Sequence, residues 1–378
     1  MNKKLDYLVF IGRFEPPHVG HIEIIQHGLT IAEHVIVLVG SSFQPRKFKN
    51  PWKFEERKEM IEKSLQHLNL FRIGIRLDTP LSNRVIILPI RDKKYNDEKW
   101  AERVQKTVDD FVGRNERPRR GLHYNGHWQL WEMRDPNIGI IGHSKDDSSY
   151  YLKMFPQWGN PIEHPLNENI SATEIRQLYF EGKNLKYIES AVPAGTYLFL
   201  QKFRETEAYQ YVKSEYEHIK KTKKQWEPAP YDVNHTTVDA VVVQSGHVLL
   251  VRRSASPGKS LWALPGGYLM TTEKIQAGML RELDEETRIK VPQKVLIGSI
   301  KKHHVFDDED RSEVGRIITH AFYIQLEPGP LPKVKGGQDV DDGTDKAKWV
   351  PLNELDEEVM FDDHLHIVDY FVGSDNDD

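Results

Sequence analysis

Gly12-Arg13-Phe14-Glu15-Pro16-Pro17-His18-Val19-Gly20-His21 stands directly behind a short apolar run, Tyr7 to Ile11, and directly ahead of an amphipathic segment, Gly20 to Glu33. A strand, a turn and a helix in that order build an anion site. The backbone donors of a helix N-terminus point at whatever lies before it, and Gly20 removes the Cβ that would obstruct close approach. His18 and His21 add side-chain donors, and Arg13 adds a permanent charge. Gly12, Arg13, Phe14, Pro16, His18, Gly20 and His21 together have a chance probability of about one in a billion per start position, at roughly 1/20 each.

Outward from this turn, Tyr7 to Ile11, His34 to Val39, Val85 to Ile90 and Ile138 to Ile141 read as strands. Gly20 to Glu33, Lys53 to Leu68 and Asp97 to Val112 carry apolar residues at three- and four-residue spacing and read as helices. The alternation predicts an α/β fold with a parallel, Rossmann-like sheet and ligands beyond the carboxyl ends of its strands. Gly113 to Pro136 is polar and irregular, with Arg117, Arg119, Arg120, Trp128 and Trp131. It reads as a surface insertion rather than an RNA-binding patch. Helical pattern returns from Gly195 to Trp226 and stops at Glu227-Pro228-Ala229-Pro230, because proline disfavours helix at itself and at the preceding residue. The sequence therefore predicts a first domain over 1–226, ending in a helical linker, and a second over 232–378. The second begins with strands Val238 to Val243 and His247 to Arg252 and holds one strong helix, Thr272 to Thr287.

The chain of 378 residues is long enough for two catalytic units. It contains no cysteine, which excludes disulfides, thiolate metal sites and a cysteine nucleophile, and suits a reducing, cytoplasmic setting. A net charge of -5 argues against general nucleic-acid binding. No stretch approaches the roughly 18 apolar residues of a membrane span. The expected partners are therefore small-molecule nucleotides, with no nucleic acid and no membrane, and with assembly into a homo-oligomer left open.

About 150 residues after the first string comes Ile170-Ser171-Ala172-Thr173-Glu174-Ile175-Arg176. Ser171 and Glu174 have capping-box spacing, which puts Thr173 and Arg176 near a second helix N-terminus. Alone this is an ordinary capped helix. Together with the first string it resembles the paired signatures of the nucleotidyltransferase superfamily, and most closely the archaeal-type nicotinamide-mononucleotide (NMN) adenylyltransferases. The resemblance covers about residues 5 to 200. It implies adenylyl transfer from ATP to NMN, giving NAD and pyrophosphate, with His18, His21 and Arg176 as the catalytic set. It also implies nucleotide contacts from Gly12, Arg13, Phe14, Gly20, Gly40, Ser41, Ser171 and Thr173. Asn50-Pro51-Trp52 with Glu56-Arg57, then Asp92, resemble the family's further segments, so Arg57 and Asp92 are expected at the nucleotide and Trp100 against the nicotinamide ring. The bland alternative for Trp100 is the core face of its helix. Gly142 to Tyr151 looks like the matching segment of fused bacterial members. The phosphate of the acceptor is already an anionic nucleophile, so alignment and charge neutralisation suffice and no protein base is required.

In the second domain Gly267 precedes Glu273 and then Arg281-Glu282-Leu283-Asp284-Glu285-Glu286. On a helix Glu282, Glu285 and Glu286 share one face, where like charges repel by a few tenths of a kcal/mol per pair unless a cation lies over them. Hard oxygen donors suit Mg²⁺ or Mn²⁺. The spacing, with Leu264-Pro265-Gly266-Gly267 before it, resembles the Nudix box and implies an α+β Nudix fold, an α/β/α sandwich. It also implies metal held by Gly267, Glu282, Glu285 and Glu286, with Arg281 as an ion-pair partner and Glu273 as an orienter or outer ligand. Arg288 departs from the box, standing where the family has glycine. Val305 to Arg316, with Ala321-Phe322, resembles the subgroup that hydrolyses ADP-ribose to AMP and ribose 5-phosphate, with Arg311 and Arg316 as expected phosphate contacts. A further base is expected from the loop Asp339 to Asp345, with no means of choosing among its carboxylates. Two other readings stay open from sequence: a sensor that binds the nucleotide without cleaving it, and an adenylyltransferase for another acceptor fused to a hydrolase that cleans nucleotide pools.

Overall fold

The computed structural model describes residues 4–66, 83–115, 123–124, 127–128, 135–143, 147–164, 171–335 and 347–373. It divides into two compact units: Met1–Phe43 with Asn50–Tyr209, and Gln44–Lys49 with Gln210–Asp378. Among the described residues no helix is long and apolar enough to cross a membrane.

In the first unit β1 (Leu5–Gly12), α1 (Val19–Ile31), β2 (Ala32–Val39), α2 (Phe54–Gln66), β3 (Val85–Pro89) and α3 (Asp97–Asn115) follow the expected alternation. A two-rung ladder, β4 (His123–Tyr124) with β5 (His127–Trp128), lies in the insertion, whose other residues are mostly outside those described. Then come β6 (Ile138–Gly142), β7 (Ile162–Glu163), α4 (Ala172–Phe180) and α5 (Ala194–Phe203). The sheet runs β3-β2-β1-β6-β7, all parallel. β1 is buried on both faces, as a parallel strand between helices must be. Leu8 and Phe10 enter the cluster with Ile22, Ile25 and Ile61, while Tyr7, Val9 and Ile11 enter the one with Val104, Val108 and Phe155. Burying one such side chain stabilises by roughly 1.5–3 kcal/mol. The strand order reverses between β1 and β6, and in such sheets the crevice beyond the carboxyl ends at that point is where ligands bind. The string Gly12 to His21 begins there.

The second unit contains α6 (Glu207–Trp226) from Gln210 onward. After it come β8 (Asn234–Gln244), β9 (His247–Arg252), β10 (Trp262–Ala263), β11 (Gly266–Tyr268) and α7 (Ile275–Thr287). The chain ends in α8 (Gln293–Gly298), β12 (Ile300–Phe306), β13 (Arg316–Gln325), β14 (Ala347–Pro351) and α9 (His364–Val372). Its mixed sheet runs β10-β9-β8-β13-β12, with β11 on β8 and β14 on β9. Val238, Ala240 and Val242 of β8 pack against Met279, Leu280 and Leu283 of α7. Thr237 and Asp239 face the opposite side, where a cavity of about 450 Å³ opens.

The sequence places the domain boundary at 226–232, whereas the compact units meet in the chain at Tyr209 and Gln210. A proline break marks where a helix stops, not where its side chains pack. Tyr209 belongs with Tyr179 and Phe180, while Ile219 clusters with Val314 and Ile317. The short segment Gln44–Lys49 also belongs to the second unit, with Phe48 against Tyr216 and Lys49 paired to Asp310 at 2.9 Å.

Candidate active sites

The first site is built on α1. His18 is its N-cap, and the His18 backbone N–H donates to His21 Nδ1 at 3.2 Å, so the His21 proton resides on Nε2. The two imidazoles stack with centroids 3.6 Å apart, and Phe14, buried with φ 56°, lies 4.6 Å from the His21 ring. Burial, and then the nearby His18, lower the His21 pKa well below its ordinary value, so His21 serves as a neutral donor. Phe14 is core beneath the histidines rather than a ligand contact, and the Cβ of a residue at Gly12 would stand 3.1 Å from its ring.

α4 starts where its capping signal predicted, with Ser171 Oγ accepting from Glu174 N–H at 3.4 Å. Arg176 is buried; Nη1 donates to Glu15 O at 2.6 Å and Nη2 to Thr173 Oγ1 at 3.1 Å. Two signatures 150 residues apart are thus joined by one guanidinium. Arg13 Nη2 donates to Asn50 Oδ1. Asp92 accepts from Ser41 N–H at 3.1 Å and from its hydroxyl at 2.6 Å, which fixes Ser41 at φ 50° just after Gly40.

Two expected contacts have structural partners of their own. Arg57 is fully buried and donates to Arg13 O and Gly40 O, each at 2.7 Å, and to Ser41 O at 3.1 Å, besides pairing with Glu15 at 3.1 Å. It ties the phosphate turn to the loop after β2 and positions the site instead of touching a nucleotide. Burial pushes Glu15 up to about 7 against the pull of Arg57, Arg13 and Arg176, and it lowers Arg57 in turn. Trp100 lies half-buried at the edge of the α3 core, with its ring 6.0 Å from Tyr151 and 6.1 Å from Phe155. The inner part of the ring packs on the core and the rest stays open. Residues 144–149 of the segment resembling the fused members lie outside those whose side chains are described.

The second site is built on α7. Arg281 donates to Glu273 at 2.6 and 3.0 Å, to Glu282 at 2.8 Å and to Glu285 at 3.1 Å, so Glu273 does orient it. Glu286 accepts from Gly266 N–H at 2.9 Å. Burial pushes Glu286 up to about 7 and raises Glu282. A Cβ at Gly267 would stand 2.6 Å from the Glu282 carboxylate, and one at Gly266 would stand 2.3 Å from Val238 O. Gly266 therefore demands the absence of a side chain, whereas a side chain at Gly267 would displace the Glu282 carboxylate. Among the described residues no three acids converge as a closed metal shell: the guanidinium of Arg281 lies between Glu282 and Glu285, and Glu286 turns to the backbone. The donor set nonetheless fits a divalent cation, with three carboxylates inside one helical turn and two of them pushed toward protonation by burial with too little compensating charge.

Arg311 stands at the hydrolase cavity, held by an acid, whereas Arg316 departs from expectation. Arg311 forms a buried bidentate pair with Asp363 at 2.9 and 3.0 Å. Arg316 opens β13 in register with Asn234. Alternation along the strand puts Ile317 and Thr319 on the cavity face and Arg316 on the other. Arg311 lines the cavity together with Arg253, Asp239 and His364. Arg253 stacks 3.8 Å over the Phe361 ring, Asp239 is buried and accepts from Thr319, and His364 Nδ1 accepts from Leu264 N–H at 2.8 Å. Period-two alternation from Val238 could have found Asp239; nothing local marks His364. Of the loop Asp339 to Asp345, no residue is among those described.

Comparison with known proteins follows the same division. A cytidylyltransferase-like family model matches residues 9–178 and a NUDIX domain model matches residues 233–371. A nicotinamide/nicotinic acid mononucleotide adenylyltransferase from Acinetobacter baylyi is 38% identical over 213 residues, 56% of this chain and 94% of its own. An ADP-ribose pyrophosphatase from Methanocaldococcus jannaschii is 31% identical over 133 residues, 35% of this chain and 70% of its own. The crystal structure of a bifunctional NMN adenylyltransferase/ADP-ribose pyrophosphatase from Francisella tularensis, complexed with AMP and a manganese ion, is similar over 98% of this chain and 99% of that one. Its TM-score is 0.81 at 34% identity.

Proposed function

The chain belongs to the family of bifunctional NMN adenylyltransferase/ADP-ribose pyrophosphatases, and on that footing we propose that it makes NAD in one unit and hydrolyses ADP-ribose in the other. The observation that carries this reading is the end-to-end likeness to one bifunctional enzyme.

In the first reaction an oxygen of the NMN phosphate attacks the α-phosphorus of ATP, and the bond to the departing pyrophosphate breaks. The protein aligns and neutralises. The α1 N-terminus and the Nε2–H of His21 receive phosphate oxygens, Arg13 supplies charge, and Arg176 locks the two signature turns at the spacing the triphosphate requires. In the second reaction water attacks a phosphorus of ADP-ribose, releasing AMP and ribose 5-phosphate. Glu282, Glu285 and Glu286 would hold Mg²⁺ or Mn²⁺, which when bound lowers the pKa of water and polarises the phosphoryl oxygen. Glu273 keeps Arg281 within reach of Glu282 and Glu285, so the guanidinium compensates those carboxylates, and a bound metal would take over that role. The presence of all three glutamates favours cleavage over mere sensing. We further place the enzyme in the cytoplasm, with small nucleotides as its partners.

Incubating the purified chain with Mg²⁺, ATP and NMN, and separately with ADP-ribose, tests both halves. NAD with pyrophosphate, and AMP with ribose 5-phosphate, are the expected products; failure of either to form removes that half.

A further inference from the structure

An aromatic group stands at the edge of the hydrolase cavity, which Tyr268 lines. His218 and Thr222 of α6 line the cavity, and Trp226, one further turn along, continues the same helical face. Thr237 and Asp239 of β8 line it too, and two residues earlier on the same strand face stands His235. Tyr268, paired with Thr237 across the β8/β11 ladder, completes the group. The Trp226 and His235 rings lie 4.7 Å apart at 65°, and those of His235 and Tyr268 lie 5.7 Å apart at 76°. Trp226 remains 47% exposed and Tyr268 55% exposed.

Large aromatic rings packed edge to face yet left half open present flat apolar surface and further ring edges to whatever enters the cavity. Gly266 and Gly267, next to Tyr268 in sequence, mark the end where the acids act. A substrate with its diphosphate there and its base toward the solvent meets these rings with the base. We propose that Trp226, His235 and Tyr268 form the subsite for the purine base of the diphosphate substrate, an assignment that rests on the hydrolase reading above. Helix α6, which the sequence reads as a linker, thereby becomes a specificity wall. The contact is stacking, so it favours a large purine over a smaller pyrimidine without reading hydrogen-bond edges.

The test uses the full chain with Mg²⁺ and either ADP-ribose or a uridine diphosphate ribose as substrate. For Trp226→Ala we expect KM for ADP-ribose to rise about tenfold with kcat within about twofold, the size of one lost stacking contact. KM for the pyrimidine substrate should change less, Trp226→Phe should restore most of the loss, and an unchanged thermal melt by circular dichroism should verify folding. Unchanged KM, or a fall in kcat alone, overturns the proposal. So does a smaller solution mass for Trp226→Ala, which would make the patch an interface between copies. If the wild-type chain does not cleave ADP-ribose, the hydrolase reading itself fails. Calorimetric binding of ADP-ribose without Mg²⁺, compared between wild type and Trp226→Ala, then still decides the base subsite, because binding weakened about tenfold supports it and equal binding refutes it.

Discussion

Glu15 is a carboxylate buried beside Arg57, with Arg13 and Arg176 near enough to pull on it, and burial still raises its pKa from 4.5 to about 7. The folded state therefore holds this proton more tightly than the unfolded chain does. The resulting stability is complete below 4.5 and is lost as pH rises to about 7. Glu15→Gln keeps the neutral form at every pH. Its melting temperature relative to wild type should climb between those two values and stay level above, and a constant difference would refute the assignment. His21 works with the opposite sign. Its lowered pKa makes the folded state resist protonation, so its contribution fades as pH falls below the ordinary histidine range. His18, His21 and Arg176 were legible in the sequence because their spacing from a strand end or a helix cap dictates where they point. Arg57 was not, because its partners are backbone carbonyls of loops far away in sequence, and carbonyls leave no trace in residue identity.

Helix α7 ends on Arg288 at φ 49° and ψ 33°, the left-handed conformation that the Nudix box ordinarily gives to glycine. The N–H of Arg288 donates to Asp284 O at 2.9 Å, so the cap forms despite the side chain. Arg288→Gly should raise unfolding stability by about 1 kcal/mol, the left-handed penalty less the glycine's greater chain entropy. Denaturant melts would measure it. On β11, Gly266→Ala should act the other way, because its Cβ meets Val238 O at 2.3 Å. We expect a loss of roughly 1–3 kcal/mol, as for overpacking elsewhere, together with loss of hydrolysis. Element order and strand alternation were readable, since both follow from periodicity. The role of α6 was not: its charged residues gave the pattern of a solvated helix, and only the packing of Tyr216 and Ile219 reveals which unit claims it.

Across the whole molecule, two chemistries with separate residue sets should fail separately. Glu282→Gln should lower ADP-ribose hydrolysis by at least about a hundredfold with adenylyl transfer unchanged, and His18→Ala should do the reverse. Loss of both activities from either variant would refute independent sites. The pairing has a chemical logic, since ADP-ribose is what remains of NAD once nicotinamide is removed. The two units are not separated by a single cut in the chain. The second compact unit draws on Gln44–Lys49 and on everything from Gln210, so its material enters the polypeptide before the first unit is finished. A gene fragment begun at Glu227, where the prolines invite a cut, would encode Glu273, Glu282, Glu285 and Glu286 yet leave His218, Thr222 and Trp226 behind. Subcloning, or any ancestral recombination that trimmed the fusion there, would yield a hydrolase with an open flank.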